Sequence, residues 1–119
     1  MDELENWVKH DHLWTRRASL VATVYLRRAK YDEELALDLD RRALDMSQRL
    51  LDDQEKYIRK AVDWCIREVV RRHYALGQAW LMKQARSSPS KTAASTLKLA
   101  AKKLDESDQK RFLSTIESL

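Results

Sequence analysis

One glycine and one proline among 119 residues leave little from which to build tight turns. Sheet proteins need such residues at their hairpins, so a β-rich fold is excluded and the chain reads as nearly all helix. A single cysteine rules out a disulfide within the chain and fits a reducing compartment. No apolar run is long enough to span a membrane, and no membrane partner is expected. The opening "MDELENWVKHDH" is acidic and polar, unlike a signal peptide, so a cytoplasmic location is expected. There is no phosphate loop, no zinc-type cysteine pair and no nucleophile elbow. His10 and His12 are two positions apart, which puts them on different helix faces, and neither a metal nor a cofactor is expected.

What is abundant is charge. Asp, Glu, Lys and Arg make up 35% of the chain and leave a net +4. Such a balance keeps a many-faced helical protein soluble, and its sign points weakly toward an anionic partner. The length suits one domain over 1–119 with a modest core.

Seven helical segments are expected, at about residues 2–9, 12–29, 32–51, 53–72, 74–85 and 89–104, with a last one that "DESD" caps. In the third, Leu35, Leu39, Ala43, Met46 and Leu50 form a stripe that Leu37, Leu44 and Leu51 widen. Asp52 with Glu55 three residues on resembles a capping box for the fourth. Leu76, Ala79, Trp80 and Leu81 should face inward on the fifth. Ser88 should cap the sixth with Pro89 as its first residue. Phe112, Leu113 and Ile116 should anchor the seventh.

The chain also resembles itself. Laying "WTRRASLVATVYLRR" over "YIRKAVDWCIREVVRR" at an offset of 43 sets Trp14 on Tyr57, Arg16 on Arg59, Arg17 on Lys60 and Ala18 on Ala61. "SKTAASTLKLAAKKL" reads as a third, degenerate copy. That period falls in the range of HEAT and armadillo helix pairs. Helical periodicity alone can also generate such matches. If the repeat holds, the fold is an all-α, right-handed solenoid of stacked HEAT-like pairs, with the second, fourth and sixth helices side by side on one surface.

The fourth helix carries an anomaly. Ile58, Val62, Cys65, Ile66 and Val69 make its apolar stripe, while Tyr57, Lys60, Trp64, Arg67 and Arg71 share another arc. Cations interleaved with aromatic rings suit nucleic acid, the charges meeting phosphates and the rings meeting sugars or bases. The plainer reading packs Trp64 under a neighbouring helix. On the second helix Arg17 falls among Trp14, Leu20, Val21 and Val24, where a lone charge needs an anionic partner. That partner is either a carboxylate such as Asp63 or Glu68, or a phosphate gripped bidentately.

Two of these stretches resemble a known family. "LWTRRASLVA" is similar to the W-x-x-R-A stretch of the HEAT-like-repeat DNA alkylation repair enzymes, which are alkylpurine DNA glycosylases. "LLDDQEKYIRKAVDWCIREV" is similar to that family's K-A-x-x-W-x-x-R-E segment, here Lys60, Ala61, Trp64, Arg67 and Glu68. The resemblance runs over about residues 7–104, with the K-A-x-x-W-x-x-R-E run its most specific part. It implies a concave basic groove for double-stranded DNA and metal-free excision of alkylated purines in base excision repair. It also implies Arg17 and Trp64 at the lesion, with Arg16, Arg17, Lys60, Arg67 and Arg71 as DNA contacts. The family's pattern further includes a Trp and a catalytic Asp upstream of W-x-x-R-A. Asp2 and Asp11 do not fit that pattern, and Trp7 matches a more structural tryptophan. The chain is therefore expected to correspond to the family's C-terminal half, pairing with a missing N-terminal half or with itself. Two alternatives stand beside it: a non-catalytic scaffold that binds another protein, and a small enzyme in which Asp63 or Glu68 serves as the acid.

Overall fold

A computed structural model of the chain describes residues 33–118 together with Arg17 and Ala18. Among the described residues there are five α-helices and one 3-10 turn, and no strand. They are α1 (Glu33–Arg49), α2 (Lys56–Arg72), α3 (Tyr74–Arg86), α4 (Lys91–Ala100), the 3-10 turn Ala101–Lys103, and α5 (Glu106–Glu117). Among the described residues the all-helical expectation holds, with five α-helices against the about seven expected for the whole chain. The segments expected at about 2–9 and 12–29 lie outside the described residues, except for Arg17 and Ala18, which are helical.

In α1, Glu33 and Glu34 stand at the positive end of the helix dipole and Arg49 at the negative end. Its buried arc runs from Met46 through Leu39, Ala43 and Ser47 to Asp40 and Leu44. At 100° per residue this centres the arc away from Leu35, which stays 41% exposed although the apolar pattern put it in the stripe. Ser47 donates to the carbonyl of Ala43 at 2.9 Å, which satisfies a hydroxyl that is fully buried.

Helix α2 begins three residues later than a cap at Asp52 would place it. Asp53 accepts from the N–H of Glu55 at 2.9 Å, an Asx-type bridge that holds the chain in a turn. Glu55 then serves as N-cap, accepting from the N–H of Tyr57. Asp52 instead accepts from the hydroxyl of Ser90. Ile58, Ala61, Val62, Cys65, Ile66, Val69 and Val70 are buried, so the expected stripe is present and Cys65 is a core residue.

A single residue, His73, separates α2 from α3. So short a connection presses the two helices together, and Gly77 is where they touch. A Cβ added there would lie 2.6 Å from Cγ2 of Val70 and 2.9 Å from its Cα. On α3 the stripe is Gly77, Trp80, Leu81, Gln84 and Ala85. Ala79 was expected inside, yet it is exposed, because it stands 200° around the helix from Gly77.

The cap of α4 also shifts. Ser88 adopts a left-handed backbone with φ of 56°, so it cannot lead into a helix. Ser90 becomes the N-cap and accepts from the N–H of Ala93 at 3.1 Å. The helix expected to reach about Leu104 stops at Ala100, where tighter 3-10 bonding takes over. Phe112 and Ile116 of α5 are buried as expected, and Leu113 packs at the edge of the core.

One core joins all five helices. Helix α2 packs on α1, α3 and α4, and α3 packs on α5. Two polar ties fix the ends. The imidazole of His73 lies between two carboxylates of α1, with Nδ1 on the buried Asp40 and Nε2 at 2.8 Å from Glu33. The phenol of Tyr74 donates to Asp108 at 2.6 Å and accepts from the N–H of Asp105, joining α3 to the start of α5. Burial, then the bond to Asp108, pushes its pKa above the usual 10.0, so it remains a donor.

Two stability outcomes follow. Gly77→Ala should lower unfolding stability in urea by about 1–3 kcal/mol through overpacking, despite a helix-propensity gain of roughly 1 kcal/mol. Adding Val70→Ala should restore only part of it, because the clash with the Val70 Cα remains. His73→Ala removes the hydrogen bond between α1 and the helix junction and should cost about 1–3 kcal/mol. His73→Asn, which keeps one donor, should cost measurably less.

Candidate nucleic-acid interface

The solvent face of α2 is set by what its core face consumes. With the apolar stripe inward, Tyr57, Lys60 and Arg71 are exposed and Trp64 and Arg67 are half-buried. These are the five residues of the expected arc, and they share one side of the helix. Tyr57 is 45% exposed. Trp64 therefore neither joins the main core nor stands fully in water.

The cations of this arc divide by partner. Arg67 donates through Nε to Asp63 at 2.8 Å and through a terminal nitrogen to the carbonyl of Leu99 at 2.8 Å. That carbonyl belongs to the last turn of α4, so Arg67 adds a side-chain donor at the C-terminal end of a neighbouring helix. Arg71 pairs with Glu68 at 2.8 Å, and Arg72 approaches the same carboxylate oxygen at 3.5 Å. Asp63 and Glu68 are thus both bound by arginines of their own helix. Lys60 forms no ion pair among the described residues. Arg17 is helical and half-buried, and Arg16 lies outside the described residues.

Beside this arc, α2 and α4 enclose an open groove of about 200 Å³, lined by Lys56, Arg59, Lys60, Asp63, Thr96 and Leu99. Arg59 crosses it to donate to the hydroxyl of Ser95 at 3.0 Å, and its Nε is buried without an acceptor. Sequence reasoning brought Lys60 to this surface and missed Lys56, Arg59 and the α4 wall. The signal was present in two places. Lys56, Arg59, Lys60 and Asp63 recur at i, i+3, i+4 and i+7, and the stretch from Lys91 to Leu104 carries four lysines and no acid.

Among the described residues, no group of three or more His, Cys, Asp or Glu is arranged to hold a metal. No helix there is long and apolar enough to cross a membrane.

Arg67 and Lys60 should separate in stability measurements. Arg67→Ala removes the α2–α4 tie and should cost about 1 kcal/mol, a value discounted for its partial exposure. Lys60→Ala should stay within about 0.5 kcal/mol of the wild type. Chemical denaturation of both variants checks the difference.

No curated protein and no solved structure matches the chain. A family model described as DNA alkylation repair enzyme matches residues 1–114, nearly the whole length. With that match on a chain whose Trp64 and cations share one solvent face of a helical fold, the protein belongs to the DNA alkylation repair enzyme family.

Proposed function

We propose that the chain binds double-stranded DNA and acts in the repair of alkylated bases as a glycosylase-like module. The carrying observation is the solvent face of α2, where the half-buried Trp64 stands beside Lys60, Arg67 and Arg71. Membership of a DNA alkylation repair family supports DNA as the ligand of that face. The cations neutralise phosphates, and each contact made releases counterions, so binding weakens as salt rises. Trp64 offers a flat apolar surface to a base or sugar. Arg17, whose repeat-equivalent position is Lys60, approaches the lesion or an adjacent phosphate.

The architecture that serves this role is a right-handed stack of HEAT-like pairs. Its support is that α2 and α4 lie side by side, as alternate helices of such a stack do. A protein-binding scaffold would present an apolar face. Among the described residues the exposed large apolar side chains are Leu35, Tyr57 and Leu99, on three different helices.

Chemistry at an alkylated purine needs little from the protein, because the base already carries positive charge and leaves readily. What remains is electrostatic support for a sugar cation and placement of water. Asp63 and Glu68 are held by Arg67 and Arg71, so neither stands as an uncompensated carboxylate.

Fluorescence anisotropy with duplex DNA tests the reading. Wild-type affinity should fall steeply between 50 and 200 mM salt, as is general for multi-phosphate contacts. Trp64→Ala and Arg17→Ala should each weaken binding by roughly tenfold while circular dichroism stays helical. Unchanged binding in both variants would overturn it. Release of methylated purine from alkylated DNA, assayed on the chain alone, decides whether it cleaves.

A further inference from the structure

We propose that the groove between α2 and α4 is a phosphate-binding subsite, in which Lys56, Arg59 and Lys60 hold a backbone phosphodiester of the DNA. The assignment rests on the DNA-binding reading above and deepens it, adding two residues and a second wall that the arc of α2 does not contain.

The charges do not balance inside the groove. Three cations and one carboxylate line it, and that carboxylate, Asp63, is bound to Arg67. Lys56 and Lys60 are exposed and form no ion pair among the described residues. Arg59 is fixed by a neutral hydroxyl, that of Ser95, and keeps a buried N–H without an acceptor. Lys91 and Lys98 of α4 and Lys102 and Lys103 of the turn after it are also exposed and add positive charge without an acid among them.

The position of these cations costs stability. Lys56 and Arg59 fall in the first turn of α2, where the helix dipole favours anions and only the N-cap Glu55 supplies one. Lys56 and Lys60 are also like charges at i and i+4, which repel. Packing gives no reason for either lysine to be there. An anion in the groove removes both penalties, and Arg59 is the donor already held against its α4 wall. The space of about 200 Å³ exceeds the ~30 Å³ of one water several-fold, which admits a phosphate group. Arg67 is a strut that holds the two walls at their spacing.

The test is the double variant Lys56→Gln/Lys60→Gln, measured for duplex binding and for melting. Duplex affinity should drop at least tenfold at 100 mM salt, and the slope of log K against log salt should become shallower by about 0.9, the contribution of one phosphate contact. The melting temperature should hold or rise, because two misplaced cations have gone. A lower melting temperature with an unchanged salt slope would mark the lysines as structural and overturn the subsite. So would any unchanged slope in a wild type that binds duplex, an outcome that leaves the DNA reading standing.

A second arm needs no DNA. Inorganic phosphate at millimolar concentration should shift the amide resonances of Ser95, Thr96 and Leu99, and the double variant should abolish the shifts. Those shifts in a wild type that fails to bind duplex would keep the phosphate chemistry, overturn the DNA source and point to a free phosphate. Absence of any shift overturns the subsite.

Discussion

Helix α2 must be a core helix and a cationic surface at once, and the rest of the structure depends on that constraint. Seven of its residues are buried, from Ile58 to Val70, and they touch three other helices. The remaining arc is left for charge. A period of 3.6 residues keeps the two sets apart along all 17 positions. The one-residue junction at His73 and the missing side chain at Gly77 then bring α3 against the same core. Helix α4 closes the other side of the core and becomes the second wall of the groove. A surface carried on so well-packed a helix is preorganised, since its backbone cannot shift without breaking the core.

The arginines and lysines of this surface do different work, and their chemistry explains why. Guanidinium is planar with five donors, so Arg67 can bond a carboxylate and a carbonyl together, and Arg59 can reach a hydroxyl across the groove. Lysine is a point charge on a flexible stem and gains little from one fixed geometry. Lys56 and Lys60 accordingly remain in solvent, beside arginines that hold the walls. Counting cations on a helical wheel treats the two types alike, whereas the structure separates braces from available charge.

That separation was only half legible in the sequence. The core stripe of α2 and its charged arc follow from periodicity, and every member of the arc lies where that periodicity puts it. Helix ends were less legible. Asp52 and Ser88 look like caps, yet Glu55 and Ser90 act instead, because capping depends on the local path of the turn and on partners such as the Asp52–Ser90 bond across 38 positions. Leu35 and Ala79 were misjudged for a related reason. An apolar residue at the edge of a stripe is buried or exposed according to which helix packs beside it, and no local pattern carries that information. The tie from Asp40 to His73 was equally hidden, since a buried carboxylate on an apolar arc looks like an exception until its partner 33 positions away is known.

The same logic bears on how binding and chemistry relate in this chain. A carboxylate that is to stabilise a cationic sugar must be near the substrate and not already neutralised. Asp63 faces the groove, but Arg67 holds one of its oxygens, and Arg67 also donates at the C-terminal end of α4. Freeing Asp63 for chemistry would release the wall that shapes the groove. Glu68 is bound by two arginines of its own helix. The acids on α2 thus belong to the scaffold that positions the cations. If α2 holds an anionic backbone as proposed, an acid that works on the sugar has to come from outside this helix.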